Sequence, residues 1–282
     1  MVIVRTTLRR LAVALLDLLG DRIQLTRHRL AGAAVCAIDQ QDLEREEERE
    51  REREREELAA SPAETDEPPA SSSYAALWNP SAVPEAMAQI YNTTDEASFE
   101  EGGRLDFEWL ARHLRPEHTT LDLGCGIGRV AYYVAQHCQH LWAIDVSPRM
   151  LELAQERMSG LNNVSYGLCE DISFPDVPSM SIDLAYSLLV LQHVEREDAF
   201  CLLEELCRVV RPGGRVMLTF PNLLSPLYLK CFTDGAHRRA SSHVNRARPY
   251  TAEEVSCLVE AAGFEKPTLE VETEIRVTAQ RS

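Results

Sequence analysis

The stretch LDLGCGIGR at residues 121–129 decides the fold class. A short apolar run predicts a buried strand that enters a turn containing Gly124, Gly126 and Gly128, and helical spacing follows. Glycines permit a tight turn and the close approach of a ligand, and the next helix offers free N–H groups at its N-terminus. The spacing is not a dinucleotide fingerprint, because Arg129 stands where that pattern needs glycine or alanine. It is not a P-loop either, because no G-K-S/T follows.

Strand and helix patterns alternate along the chain after this turn. The predicted strands are TTLDLG, LWAIDV, NVSYGLC, the start of SIDLAYSLLV, RVMLTF and one or two strands in TLEVETEIRVTAQ. Helices are predicted at 102–114, after the glycine turn, from the N-cap Ser147, in EDAFCLLEELCRVV up to the RPGG turn, and from Thr251, which forms a capping box with Glu254. This alternation predicts an α/β fold with a mostly parallel sheet and helices on both faces.

The N-terminal part of the chain predicts an extension of the α/β domain, which is expected to occupy residues 74–282. Residues 1–40 predict an amphipathic basic helical extension, and the helix at 6–30 has two interpretations. It either makes peripheral membrane or partner contacts, or it packs on the main domain. Residues 41–73 combine an alternating Glu/Arg segment with a Pro/Ser-rich linker, and without an apolar face they predict disorder.

Charge and cysteine usage narrow the functional class. The formal net charge is −16, of which −8 belongs to residues 42–67. This balance disfavours nucleic acid as a partner. No apolar run reaches the roughly 18 residues of a transmembrane helix. The eight cysteines form no C-x-x-C pair and no zinc-like spacing with histidine, so the sequence predicts no metal site and a reducing, cytoplasmic location.

The order of these motifs resembles the class I S-adenosylmethionine-dependent methyltransferases, in particular small domains with a D-x-G-C-G-x-G loop. The resemblance covers about residues 85–282 and is densest at 121–220. The family's glycine loop matches Asp122 and the three glycines that follow it. Its acid at the end of the second strand matches Asp145, and its acid after the third strand matches Asp171. The resemblance implies a Rossmann-like, seven-stranded, mainly parallel sheet with an antiparallel strand near the C-terminus, and S-adenosylmethionine as cofactor.

The resemblance also implies a role for each matched residue around the cofactor. Asp145 would accept hydrogen bonds from both ribose hydroxyls. Asp171, with Glu170 as the less favoured choice, would receive the adenine amino group. Val146 and Ile172 would form apolar walls for the adenine ring.

Four further residues have predicted roles, and for Asp122 and His193 an alternative is left open. Asp122 would orient the glycine loop or meet the methionine ammonium, and capping of a turn is the alternative. Ser187 and Gln192, at the end of the fourth strand, are predicted cofactor contacts. His193 is the candidate general base, which a hydroxyl acceptor needs and a carbanion or neutral amine does not. The alternative is that His193 anchors the following helix by hydrogen bonds.

The region 221–250, between the fifth strand and the last helix, is basic on an acidic chain. Its arginines, Arg238, Arg239, Arg246 and Arg248, are the candidate substrate contacts. One hypothesis is a lid that pairs with a carboxylate or phosphate of the acceptor. The alternative is a solvated loop that balances the surrounding acids.

Together these patterns predict methyl transfer from S-adenosylmethionine to a small molecule by in-line displacement, with the protein aligning the reactants. The alternative from a different class is a non-catalytic S-adenosylmethionine-binding or interaction module. A nicotinamide oxidoreductase is disfavoured by the glycine spacing.

Overall fold

The computed structural model describes residues 72–238 and 247–282. The predicted extension at 1–40 and nearly all of the Glu/Arg segment and linker therefore lie outside the described residues. Within the described ranges, no helix is both long and apolar enough to cross a bilayer.

Eight helices and seven strands make up the described part of the chain. The helices are α1 (Ser72–Leu77), α2 (Val83–Tyr91), α3 (Glu96–Ala111), α4 (Ala131–Ala135), α5 (Pro148–Arg157), α6 (Arg196–Val209), α7 (Pro226–Arg238) and α8 (Ala252–Ala261). The strands are β1 (Thr119–Leu123), β2 (His140–Asp145), β3 (Val164–Leu168), β4 (Ile182–Ser187), β5 (Val210–Pro221), β6 (Phe264–Val271) and β7 (Glu274–Arg281).

The seven strands form one sheet in the order β3-β2-β1-β4-β5-β7-β6. The first five strands in this order are parallel, and β7 pairs antiparallel with both β5 and β6. The predicted seven-stranded, mainly parallel sheet is therefore confirmed. The chain order reverses between β1 and β4, and the carboxyl ends of parallel strands at such a switch point form a ligand-binding crevice.

Apolar side chains cover both faces of the sheet. On one face, α6 and α8 pack over Leu121 and Val216, and on the other, α3, α4 and α5 pack over Leu141 and Met217. The helices begin where the sequence supplies a cap. Ser147 accepts a hydrogen bond from the Met150 N–H, and Thr251 and Glu254 form the predicted capping box.

Two predicted boundaries were wrong. Helix α3 begins at Glu96 and not at 102, because Asp95 caps it by accepting a hydrogen bond from the Ser98 N–H. The RPGG segment is not a turn that precedes the fifth strand, since β5 begins directly at Val210 after α6. Gly213 has a positive φ of 78°, and a shift in the pairing of β4 with β5 accommodates the extra residues.

Arg129, at the end of the glycine turn, packs between the turn and α3. Its side chain is 4% exposed, and its Nη2 lies 2.8 Å from an Asp106 carboxylate oxygen. Its guanidinium also lies over the Tyr91 ring, 4.6 Å from the ring centroid. Asp106 faces a second cation as well, Arg276, at 3.6 Å. The residue that breaks the dinucleotide pattern is thus a buried packing and ion-pair residue.

Replacement of Asp106 by alanine should lower the free energy of unfolding by about 3–5 kcal/mol, because it leaves the Arg129 charge buried without its carboxylate. Glu108→Ala is the matched control, since Glu108 lies on the same helix and pairs with the exposed Arg104. It should cost about 0–1 kcal/mol. Urea unfolding measures both, and equal losses would contradict the importance of the buried pair.

Candidate active site

A cleft opens at the carboxyl ends of β1, β2 and β4, where the sheet topology predicts a ligand. It measures about 780 Å³ including its open mouth. Its walls are predominantly apolar, with Asp145 as the acidic group among the described lining residues. The lining comprises Tyr74, Trp78, Ile90, Leu123, Gly124, Gly126, Asp145, Val146, Met150, Cys169, Ile172, Leu188, Leu189, Val190, His193, Val194 and Leu202.

The Asp145 carboxylate joins the glycine turn to the end of β2. Its Oδ2 accepts a hydrogen bond from the Gly126 N–H at 2.8 Å, and its Oδ1 accepts one from the Ser147 N–H at 2.9 Å. A carboxylate can accept about four hydrogen bonds, so both oxygens retain capacity toward a ligand. Burial raises the pKa of Asp145 to about 6.

Asp122 lies outside the lining of the cleft. It is buried on β1, in register with Tyr186 of β4 and Ala143 of β2. Burial raises its pKa to about 7. Its contact with the cofactor stays a prediction. In the structure, Asp122 lies in the buried strand that precedes the glycine turn.

The glycines of the turn are needed for close packing as well as for backbone conformation. Gly124 has φ 79°, and a Cβ there would lie 2.2 Å from a Val190 methyl carbon. Gly126 has φ 53°, and its Cβ would lie 2.6 Å from Ile90 Cδ1. L-residues rarely adopt these conformations. Both glycines line the cleft, whereas the third predicted glycine, Gly128, lies outside it.

Of the residues predicted to surround the adenine ring, some line the cleft and others do not. Val146 and Ile172 line it, as the resemblance implied. Asp171 is exposed and lies outside the lining, and both Asp171 and Ile172 have positive φ, at 46° and 60°. The apolar member of the pair therefore lines the cleft, and the acidic member does not. Cys169, which was not predicted, lines the same region.

The residues that follow β4 have different environments. Ser187 is buried, and its hydroxyl donates a hydrogen bond to the Leu123 carbonyl at 2.9 Å, so it connects β4 to β1 outside the lining. Gln192 also lies outside the lining, with its amide nitrogen 3.0 Å from the His193 ring Nε2. His193 lines the cleft. Burial, together with the charge of Arg248, lowers the pKa of His193 to about 4.

Of the candidate substrate arginines, the side chain of one is described. Arg248 forms an ion pair with Glu195, and its Nη1 donates to the His193 carbonyl at 3.2 Å. It thus lies behind the segment after β4 and outside the cleft lining. Arg239 and Arg246 lie outside the described residues, as does the side chain of Arg238, the last residue of α7. The predicted acceptor contact of these arginines stays a prediction.

Two aromatic residues of the cleft were not predicted from the sequence: Tyr74 belongs to the short helix α1, and Trp78 directly follows it. The Tyr74 hydroxyl donates to an Asp198 carboxylate at 2.5 Å and accepts from the Glu195 N–H at 3.0 Å. The Trp78 ring packs edge-on against the His193 ring, with centroids 5.0 Å apart. Both contacts span more than one hundred residues, and the only local signal was aromatic character next to the linker.

One part of the chain matches a known protein family. Residues 120–214 match a family model described as a methyltransferase domain. The match begins in β1 and ends in the early part of β5, so it contains the glycine turn, Asp145 and His193.

Curated relatives and solved structures agree with this match. The chain is 32% identical over 109 residues to phosphoethanolamine N-methyltransferase 1 of Arabidopsis thaliana, covering 38% of the chain and 22% of that protein. It is 34% identical over 99 residues to demethylmenaquinone methyltransferase of Tropheryma whipplei (strain Twist), covering 35% of the chain and 39% of the relative. The chain thus spans less than two fifths of the length of these curated relatives.

The fold is that of magnesium protoporphyrin IX methyltransferase from Synechocystis PCC 6803, solved with bound S-adenosylhomocysteine. The TM-score is 0.52 at 18% identity, over 73% of this chain and 92% of that one. Sheet order, glycine turn, strand-end carboxylate and family match coincide on the same residues. Over residues 120–214, the chain is therefore similar to the methyltransferase-domain family, and its described part has the fold of that solved methyltransferase.

Proposed function

We propose that this protein transfers the methyl group of S-adenosylmethionine to a small-molecule acceptor. The observation that carries the proposal is the position of the Asp145 carboxylate. Asp145 is the last residue of β2, its side chain accepts a hydrogen bond from the Gly126 N–H, and it borders an apolar cleft. A strand-end acid beside a glycine turn is well suited to a ribose diol. The relatives named above act on phosphoethanolamine and on demethylmenaquinone, both small molecules.

The residues present fit the cofactor. The free acceptor positions of Asp145 suit the ribose hydroxyls, and Val146 and Ile172 offer apolar walls to the adenine ring. The glycine turn borders the remaining length of the cleft at Gly124 and Gly126. When bound, S-adenosylmethionine supplies a methyl group already activated on a sulfonium.

Because the electrophile is activated in advance, the chain's main contribution is alignment and exclusion of water. Leu188, Leu189 and Val190 form an apolar wall directly after β4, beside the glycine turn. Trp78 and His193 continue this wall. A nucleophilic atom held between them faces few competing water molecules, which favours in-line transfer.

We further propose that the methyl acceptor is anionic. The support is the sequence: Arg238, Arg239 and Arg246 form a basic stretch on an acidic chain, and guanidinium groups pair well with a carboxylate or phosphate. We also propose a reducing, cytoplasmic location. The support is chemical: the seven cysteines of the described residues, from Cys125 to Cys257, all carry free thiols.

Replacement of Asp145 by asparagine should weaken S-adenosylmethionine binding by about 10- to 100-fold, because the negative charge and the acceptor sites of one oxygen are lost. Calorimetric titration of the wild type and the variant measures this. Asp176→Asn is the control, since Asp176 is an exposed acid in the loop after β3, and its affinity should equal that of the wild type.

Titration with NADH in the same experiment decides between cofactor classes. Binding of NADH without S-adenosylmethionine would overturn the proposal. A screen of acceptors scored by S-adenosylhomocysteine release then separates enzyme from binding module. Tight binding of S-adenosylmethionine with no turnover across phosphorylated amines, quinols and carboxylates would favour the non-catalytic alternative.

The affinity for S-adenosylmethionine should depend on pH through Asp145. In the free protein its carboxyl is protonated below about pH 6 and ionised above it. If the ionised form binds the ribose, affinity is constant from pH 7 to 8 and falls by about tenfold between pH 7 and pH 5. Calorimetry across this range measures the profile. Asp145→Asn should flatten it, and an unchanged profile in the variant would assign the dependence to another group, such as Asp122.

A further inference from the structure

The backbone around His193 is fixed by contacts from two elements. Residues Leu191–His193 form a single 3₁₀ turn after β4, in which the His193 N–H donates to the Val190 carbonyl at 2.8 Å. Arg248 binds this turn through two hydrogen bonds. Its backbone N–H donates to the Gln192 carbonyl at 2.9 Å, and its Nη1 donates to the His193 carbonyl at 3.2 Å.

The ring of His193 is held between Trp78 and Gln192. The Trp78 ring contacts it edge-on at an interplanar angle of 70°. On the other side, the amide nitrogen of Gln192 lies 3.0 Å from the ring Nε2. An amide nitrogen donates hydrogens and accepts none, so with the Gln192 amide in this orientation Nε2 is the unprotonated nitrogen of the ring. In a neutral imidazole, the hydrogen then resides on Nδ1.

Nδ1 is buried and has no hydrogen-bond partner among the residues that the structure describes. Buried donors without an acceptor are uncommon in folded proteins, and each one calls for an explanation. The ring lines the cleft, and its other nitrogen is already occupied. A ligand oxygen that entered the cleft and reached Nδ1 would supply the missing acceptor.

We propose that Gln192 is a positioning residue that keeps the proton of His193 on Nδ1, so that His193 donates a hydrogen bond to an oxygen of the methyl acceptor. This inference rests on the proposed methyl transfer and narrows its acceptor class to molecules with a carbonyl or oxyanion next to the nucleophilic atom. In the transfer, the nucleophile's electron pair forms the bond to the methyl carbon, and the carbon–sulfur pair leaves with sulfur. No proton passes to His193, in contrast to the general-base role predicted from the sequence.

The position of the proton can be measured without any ligand. In full-length protein labelled with ¹⁵N-histidine, the two ring nitrogens have distinct chemical shifts according to which one carries hydrogen. His193→Asn identifies the His193 signals by their loss. We expect Nδ1 to be protonated and Nε2 to be free in the wild type. Protonation of Nε2 instead would overturn the assignment, whatever the protein catalyses.

Substitution of Gln192 tests its part in this arrangement. In Gln192→Glu, the carboxylate accepts from Nε2–H and should move the proton off Nδ1, whereas Gln192→Leu removes the hydrogen bond and should give a mixture of both tautomers. Unchanged ring shifts in both variants would overturn the positioning role. Thermal unfolding of each variant confirms that the domain is folded during the measurement.

A second pair of variants distinguishes a donor from a base, with an acceptor found in the S-adenosylhomocysteine screen. His193→Asn retains an N–H close to the position of Nδ1 but cannot take up a proton at neutral pH. It should keep kcat within about tenfold of the wild type, whereas His193→Ala should lose on the order of 100-fold. An Asn variant as inactive as the Ala variant would overturn the donor role. Failure of the wild type to bind S-adenosylmethionine would instead refute the proposed function and leave the NMR result standing.

Discussion

The site depends on one buried carboxylate that holds two backbone N–H groups. By accepting from Gly126 and Ser147, Asp145 joins the glycine turn after β1 to the start of α5. The first of these hydrogen bonds connects the end of β2 to the turn that follows the neighbouring strand β1, beside the switch point between β1 and β4, so the cleft has a fixed floor. The same residue lines the cleft, so lone pairs that its two structural hydrogen bonds do not use are available there.

Burial of this carboxylate has an energetic cost, which its raised pKa expresses. Asp122 lies nearby on β1 and is also buried with a raised pKa. Two buried acids in one apolar region lower the free energy of unfolding. The apolar packing of the surrounding sheet offsets this loss. Such local conflict between stability and chemistry is characteristic of ligand sites, because a carboxylate without complete internal pairing is available to a ligand.

The sequence was sufficient for the sheet and for the floor of the cleft, because both follow from short-range patterns. Gly124, Gly126 and Asp145 lie at strand ends that periodicity can locate. Asp171 also lies near a strand end, but it is exposed, and its neighbour Ile172 lines the cleft. The contact between Trp78 and His193 depends on tertiary packing across more than one hundred residues, which no local pattern encodes.

Arg248 illustrates a further limit of reasoning from composition. As one of several arginines in a basic region, it was a candidate for binding an anionic acceptor. In the structure, it pairs with Glu195 and holds the carbonyls of Gln192 and His193. Its positive charge also helps to lower the pKa of His193, which keeps the imidazole neutral. Arg248 can therefore influence the chemistry at the cleft by fixing the turn that presents the His193 ring, whereas its contact with the acceptor stays a prediction.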